Sequence, residues 1–201
     1  MTTWDERFRE GSYPNDPDPS PVLRAYIDAF PDGRALDIAT GPGRNALLLA
    51  EHGYAVDAID QSREGLRLAA QNARNRGVDV EWIQADATEF IYPPATYDVI
   101  TISFYRAVDR LTDIKTALRP GGYLFYQHHL RTTDPVSHGP SSDRYRFGAN
   151  ELLRGCLDLT ILHYEETTEH YDGDPVPTVE LIARNSTGAS QSYPRDPHTD
   201  G

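Results

Sequence analysis

The fold is decided by residues 35–53, ALDIATGPGRNALLLAEHG, where a short apolar run leads into two spaced glycines and then a helical pattern. Leu36 and Ile38 are typical of a buried strand, and residues 46–50 supply an apolar helical face. Gly41 and Gly43 let the backbone turn tightly and approach a ligand. The stretch predicts a strand, a phosphate-loop-like turn and a helix, although G-x-G-x-x-A alone is a weak nucleotide-binding signal.

Acidic residues follow the next two predicted strands. Asp60 comes directly after residues 55–59, at the distance from the first glycine, about 20 residues, where a nucleotide fold needs a carboxylate for the two ribose hydroxyls. Asp86 follows the third strand, residues 80–84. Either acid alone is as readily explained as a turn residue. Together with Asp37, four residues before Gly41, they form a pattern.

This pattern resembles the class I S-adenosylmethionine-dependent methyltransferases, and GPGRNALLLAEHGYAVDAID is most similar to their tellurite-resistance (TehB-like) group. The segments WDERFREGSYP, LRPGGYL and FGANELL are also similar to that group. The resemblance covers most of the chain. It implies a Rossmann-like α/β fold with a seven-stranded, mostly parallel sheet, an antiparallel terminal hairpin and helices on both faces. One departure is Ala39 and Thr40, which stand where the group usually has Gly-Cys.

The resemblance also implies S-adenosyl-L-methionine as the cofactor. It assigns Asp60 to the ribose hydroxyls, the glycine turn to the methionine portion and Asp86 to the adenine amine. Arg7 is a candidate partner for the methionine carboxylate, with an ordinary surface arginine as the alternative. The complete set of expected cofactor-binding residues is Arg7, Tyr13, Asp37, Ala39, Gly41, Gly43, Arg44, Asn45, Asp60, Gln61, Asp86, Ala87 and Ser103.

The acceptor should meet the methyl group after the fourth predicted strand, residues 98–102. The sequence there, ISFY, lacks the acidic or amide, proline, proline, aromatic box of nucleic-acid amino-methylating enzymes. We expect aromatic walls and cations that attract an anion, and the catalytic candidates are Tyr105, Arg106 and His128. The other expected wall and cation residues are Tyr13, Phe104, Arg131 and Arg146.

Two adjacent histidines, His128 and His129, end the fifth predicted strand, residues 123–127. Neighbouring strand residues point to opposite faces, so at most one of them would face the pocket. With no nearby cysteine or paired carboxylate, they make a poor metal site. We expect a small acceptor, such as a chalcogen oxyanion or a thiol, methylated by in-line attack without an obligatory base. The competing hypothesis makes one histidine a general base for a hydroxyl or an amine.

The 201 residues suit one domain, predicted over residues 1–185 with an N-terminal arm, 1–20, and a disordered tail, 186–201. A net charge of −12 disfavours nucleic acid and anionic membranes as partners. No apolar run approaches the roughly 20 residues that span a bilayer, so we expect a cytoplasmic protein. We also expect it to be a monomer or a homodimer. Lys115 is the one lysine among 19 basic residues, which suggests salt adaptation. The one cysteine, Cys156, is predicted to be a small buried hydrophobe.

The remaining patterns predict local structure. Prolines should keep residues 2–20 irregular, and helices are expected over 21–30, 61–76, 108–118 and 150–157, the first capped by Ser20 and the last by Asn150. Residues 132–147 form a long polar loop, and strands are expected over 160–167 and 177–184.

Two rival functions remain open at this stage. An NAD-type oxidoreductase also uses the glycine pattern and an acid after the second strand. A non-catalytic S-adenosylmethionine binder is kept open by the Ala39-Thr40 departure.

Overall fold

Seven strands form one mixed sheet in the computed structural model, which describes residues 3–11, 13–135, 138–171, 173–186, 190 and 192–194. The sheet order is β3-β2-β1-β4-β5-β7-β6, with β1 to β5 parallel and β7 antiparallel to both its neighbours. The predicted seven-stranded, mostly parallel sheet with an antiparallel terminal hairpin is confirmed. The strands are β1 Arg34–Ile38, β2 Ala55–Asp60, β3 Glu81–Gln84, β4 Tyr97–Ser103, β5 Leu118–His129, β6 Thr160–Tyr171 and β7 Asp174–Arg184.

Helices connect the strands and begin and end at residues with clear physical roles. The Ser20 hydroxyl accepts the Leu23 N–H at 3.4 Å and caps α2, and Gly77, with φ 69°, ends α4 in the left-handed conformation. The helices are α1 Trp4–Arg9, α2 Pro21–Tyr26, α3 Arg44–Glu51, α4 Arg63–Arg76, α5 Leu111–Ala117 and α6 Glu151–Gly155. Short 3-10 turns cover Ile27–Ala29, Val108–Arg110 and Asp143–Tyr145.

The N-terminal arm corrects the prediction of an irregular segment, because α1 forms ahead of the first proline. Thr3 and Glu6 make a capping box: the Thr3 N–H donates to Glu6 at 2.7 Å, and the Glu6 N–H donates to the Thr3 hydroxyl at 3.3 Å. Asp5 then accepts hydrogen bonds from the Ser62 hydroxyl at 2.5 Å and the Glu64 N–H at 3.0 Å. The arm is thereby attached to the start of α4.

The C-terminal part also differs in detail from the prediction. β5, β6 and β7 are each longer than expected. The Asn150 side chain does not cap α6; this residue has φ 58°, and its backbone N–H donates to Glu166 at 2.5 Å. Of the predicted disordered tail, residues 187–189, 191 and 195–201 lie outside the described residues.

Two hydrophobic cores flank the sheet, as its alternating side chains require. Leu124 and Tyr126 face one core with Cys156, and Phe125 faces the other with Leu48. Cys156 is fully buried, as predicted, and burial raises its pKa to about 12. In the described part of the chain, no helix has the length and apolar character needed to cross a membrane.

Candidate functional site

A cavity of about 1610 Å³ opens at the carboxyl ends of the parallel strands. This is the edge at which open α/β sheets bind ligands. Its wall combines the N-terminal arm, the turn after β1, the ends of β2 to β4 and the β6–β7 hairpin. Twelve of the thirteen expected cofactor-binding residues line it: Arg7, Tyr13, Asp37, Ala39, Gly41, Arg44, Asn45, Asp60, Gln61, Asp86, Ala87 and Ser103.

Asp37 is the most deeply buried of the three predicted acids, with 2% of its surface exposed. Its two carboxylate oxygens accept hydrogen bonds from the Thr40 and Thr101 hydroxyls, each at 2.6 Å. Burial raises the pKa of Asp37 to about 6, against the effect of these two donors. The carboxylate is therefore fixed at the cavity wall by two hydroxyl donors, and among the described residues no ion pair reaches it, although the charge of Arg44 acts on it from a distance.

Asp60 ends β2 and joins the glycine turn to the start of α4. One carboxylate oxygen accepts the Gly41 N–H at 2.8 Å and the other accepts the Ser62 N–H at 2.7 Å. Burial raises its pKa, and the two backbone donors oppose that shift. Because a carboxylate oxygen has two lone pairs, each still has one to offer a ribose hydroxyl.

Asp86 is the exposed member of the three acids. One oxygen accepts both the N–H and the hydroxyl of Thr88, at 2.8 and 2.7 Å, and these bonds lower the pKa of Asp86. Gln61 and Ala87 line the cavity on the same side. This side of the wall therefore offers an ionised carboxylate with one oxygen outside the local turn.

The turn after β1 contains left-handed residues at Ala39, Gly41 and Gly43, with φ of 55°, 53° and 93°. Gly43 does not line the cavity, unlike the other twelve expected cofactor-binding residues. A Cβ at Gly43 would lie 3.2 Å from both Ala69 and Trp82, so this glycine serves close packing of α3 and α4. Its expected contact with the methionine portion stays a prediction.

Beside the turn, the Asn45 amide donates to the Ser103 hydroxyl at 2.9 Å. The side-chain oxygen of Asn45, Oδ1, is buried and has no hydrogen-bond partner among the described residues. A buried, unpartnered acceptor in a cavity wall is a suitable partner for a ligand amine. This observation, together with the lone pairs left on Asp60, fits S-adenosylmethionine.

The N-terminal arm lies against the same turn. Phe8 approaches the place where a Cβ on Gly41 would stand, 3.4 Å away, and Trp4, Phe8 and Tyr13 form an aromatic cluster with centroids 5.5–6.2 Å apart. The Arg7 guanidinium lies 4.9 Å from the Trp4 ring. Through this packing, Arg7 and Tyr13 both line the cavity.

The acceptor-side predictions are only partly matched. Tyr105 and Phe104 line the cavity, but His128 does not; it is buried on the other face of β5 against Phe147, and its Nδ1 accepts the His129 N–H at 2.6 Å. His129 is the one that lines the cavity, stacked 4.7 Å from Phe104. Burial lowers the pKa of His128 to about 3 and that of His129 to about 4.

The expected cations are also directed elsewhere. Arg106 pairs with Glu151, and Arg146 is buried, donating to the carbonyl oxygens of Leu130, His138 and Pro140 at 2.8–3.1 Å. Neither lines the cavity, nor does Arg131, which donates to the Asp143 carbonyl. Each of these arginines binds a carboxylate or carbonyl oxygen of the protein itself, and the spacing of residues in the sequence does not reveal such partners.

Sequence reasoning missed the contribution of the terminal hairpin. The extended ends of β6 and β7 bring polar side chains to the wall, namely Glu165, Thr167, Glu169, His170, Tyr171 and Glu180. The continuous polar run of residues 165–171 was the available signal, because a strand extended to Tyr171 places 165, 167, 169 and 171 on one face. Among the described residues, no group of three or more histidine, cysteine or acidic side chains is arranged to hold a metal ion.

The topology and the cavity together define a class I methyltransferase fold, with its glycine turn, its acids after β2 and β3 and its antiparallel hairpin. Residues 35–122 match a family model described as a methyltransferase domain. Residues 35–122 are therefore similar to the methyltransferase domains of that family, and the fold is that of the class I S-adenosylmethionine-dependent methyltransferases, in agreement with the predicted class.

Comparisons with individual proteins show how far the similarity extends. Hemagglutinin 1 of Eikenella corrodens is 31% identical over 153 residues, 72% of this chain and 50% of the relative, so the chain spans half of that protein. Cypemycin N-terminal methyltransferase of a Streptomyces species is 28% identical over 206 residues, 84% of this chain and 79% of the relative. The structure of TehB from Haemophilus influenzae superposes with a TM-score of 0.69 at 22% identity, over 82% of this chain and 61% of TehB.

Proposed function

We propose that this chain transfers the methyl group of S-adenosylmethionine to a small-molecule acceptor by direct in-line attack, without a histidine general base. The observation that carries the proposal is the cavity at the strand ends, in which His129 is stacked 4.7 Å from Phe104 while His128 faces the opposite core. Burial lowers the pKa of His129 to about 4, and this value is below the range near neutrality in which a general base is most effective. A sulfonium methyl group is already activated, so alignment of the acceptor can supply much of the acceleration.

The cofactor is proposed to lie along the strand ends from β3 to β4. Asp86 would meet the adenine amine, Asp60 the ribose hydroxyls and the Gly41 turn the methionine portion. Asn45 supports this direction, because its buried side-chain oxygen has no partner among the described residues and stands beside the glycine turn, where the methionine portion is proposed to bind. Arg7 remains the candidate for the methionine carboxylate, since it lines the cavity from the arm.

Of the two acceptor types expected from the sequence, the cavity favours a thiol over a chalcogen oxyanion. The three arginines that were to attract an anion, Arg106, Arg131 and Arg146, do not line the wall. Nine acidic side chains and two arginines line it among the described residues, so an oxyanion would meet net repulsion. A thiol can enter the site as the neutral R–SH, against the Phe104 and Tyr105 rings, and lose its proton to water there. The thiolate then attacks the sulfonium methyl group, which forms the thioether and releases S-adenosylhomocysteine.

The test uses thiol methylation measured as formation of S-adenosylhomocysteine, with His129→Ala and His128→Ala as a matched pair. The two residues are identical and adjacent, but His129 faces the cavity and His128 the opposite core. We expect both variants to keep kcat within about tenfold of the parent, below the usual contribution of a general base. A thousandfold loss in His129→Ala alone, with cofactor affinity intact, would overturn the mechanism. Turnover itself separates an enzyme from a non-catalytic binder.

We also propose that the protein is salt-adapted, cytoplasmic and a monomer or homodimer, and that it binds neither nucleic acid nor membranes. The support is the net charge of −12 and the single lysine, Lys115, among 19 basic residues.

A further inference from the structure

The acceptor half of the cavity carries a carboxylate cluster, defined here as Glu165, Glu169 and Glu180. β7 pairs with β5 on one side and β6 on the other, so Gln127, Glu180 and Glu165 stand opposite one another in one row across the sheet. Residues opposite one another in paired strands share a face, and Glu169 lies on the same face further along β6. All three glutamates line the cavity.

The position of this cluster separates it from the cofactor. The sheet order places the cofactor residues on β3, β2, β1 and β4, ending at Ser103. Glu180 is two strands beyond Ser103 in the same row, which at the usual strand spacing is about 10 Å away. The cluster therefore faces the space left for the acceptor.

The cluster lacks a cationic partner in the described part of the chain, where none of its three members has an ion pair within 4.0 Å. Glu180 is buried and accepts one hydrogen bond, from the Ser20 hydroxyl at 3.1 Å. Burial, and then the neighbouring Glu169, raise the pKa of Glu180 to about 7. Arg44 lines the same cavity, and its charge opposes that shift.

Glu169 accepts a hydrogen bond from the Tyr171 hydroxyl, but two polar atoms beside the cluster lack a partner. The Gln127 amide donates to Glu169 at 3.4 Å, but the Gln127 carbonyl oxygen has no partner, and neither has Nδ1 of His129, among the described residues. Gln127 is 1% exposed and His129 is 7% exposed. Buried acceptors without donors carry a free-energy cost unless a ligand supplies the donors.

We infer that the acceptor carries a protonated amino group, which the carboxylate cluster of Glu165, Glu169 and Glu180 binds while the nucleophile faces the methyl group. An ammonium group supplies a positive charge and three N–H donors, which matches a wall of carboxylates and unpartnered acceptors. The inference rests on the proposed methyl transfer and adds the charge of the substrate.

The activity experiment compares three thiols of similar size that differ in charge: cysteamine, 2-mercaptoethanol and 3-mercaptopropionate. We expect kcat/KM to be at least about tenfold higher for cysteamine than for the other two, the range for a hydrogen bond to a charged group. Glu169→Gln and Glu180→Gln should each reduce that preference. The matched control is Glu81→Gln, an exposed glutamate on β3 away from the cavity, which should retain it. Equal rates for the three thiols, or a preference for the carboxylate, would overturn the inference.

A binding experiment decides the inference even if no thiol is methylated. Phenethylammonium, 2-phenylethanol and 3-phenylpropionate are titrated calorimetrically into protein saturated with S-adenosylhomocysteine. Preferential binding of the ammonium compound, weakened by Glu180→Gln with S-adenosylhomocysteine affinity unchanged, supports the inference. Absence of that preference, or a loss of S-adenosylhomocysteine affinity that shows the cluster serves the cofactor, rejects it. Should Glu180→Gln fail to fold, Glu169→Gln and Glu165→Gln give the same comparison.

Discussion

Replacing Asp60 with alanine is the most direct test of the cofactor assignment. The carboxylate makes two backbone hydrogen bonds, to Gly41 at 2.8 Å and Ser62 at 2.7 Å, and so fixes the glycine turn relative to α4. It is also the proposed partner of the ribose hydroxyls. The substitution removes the ligand partner and the two internal bonds together.

The magnitude for the cofactor follows from the loss of one charge-assisted hydrogen-bond partner, on the order of 1–3 kcal/mol, or about 5- to 150-fold in Kd. The cost to folding should be smaller than two such bonds. Burial raises the pKa of Asp60, so part of the energy of its two hydrogen bonds already offsets desolvation of the carboxylate. In the variant, water in the cavity can take the place of the carboxylate as the acceptor. We expect a loss of about 1 kcal/mol of unfolding free energy.

The assay is calorimetric titration with S-adenosylhomocysteine, paired with urea unfolding. Asp57→Ala is the matched control, because Asp57 lies on the same strand, is also buried, and accepts hydrogen bonds from Arg34 at 2.8–3.1 Å and from Tyr97 at 2.9 Å away from the cavity. The control should lose stability and keep affinity. Unchanged affinity in Asp60→Ala, or equal loss of affinity in both variants, would refute the assignment.

Two further predictions concern stability. Ala39 has φ 55°, a conformation that costs a residue with a Cβ about 1–2 kcal/mol, so Ala39→Gly should raise the unfolding free energy by about 1 kcal/mol without weakening S-adenosylhomocysteine binding; a less stable variant in urea unfolding would contradict this. Salt should raise the melting temperature between 0.1 M and molar potassium chloride, because ions screen the self-repulsion of a net charge of −12. A flat or falling melting temperature would count against salt adaptation.

The parts of the fold that the sequence predicted are those governed by local chemistry. The strand–turn–helix of residues 35–53, the Ser20 cap and the Gly77 stop all depend on residues within a few positions of one another. The arm helix α1 depends on both local and distant contacts. Its capping box, Thr3 and Glu6, is local, but the prolines that follow favour irregular structure. Its attachment to α4 through Asp5 is a tertiary contact that the sequence pattern does not reveal.

The sequence predicted which residues share the cavity better for the expected cofactor side than for the expected acceptor side. The expected cofactor residues follow a spacing along consecutive strand ends, and twelve of the thirteen line the cavity; their roles stay predictions. The acceptor wall depends on how far β6 and β7 extend and on β7 lying between β5 and β6. Periodicity does not determine either property. The sequence therefore did not predict that Glu169 and Glu180 line the cavity, and it did not show that Arg106 and Arg146 lie outside it.

The Ala39-Thr40 departure can be explained by the way Asp37 is held. The Thr40 hydroxyl donates to one carboxylate oxygen and the Thr101 hydroxyl to the other, both at 2.6 Å, so the two oxygens are fixed by neutral donors from β4 and the turn. A cysteine at position 40 would offer a much weaker donor than a hydroxyl. Thr40 thus adds a strong bond to a buried acid, while Ala39 adds strain in the same turn. The departure changes how the turn is stabilised and leaves the carboxylate in place, which argues for a working cofactor site over a degenerate one.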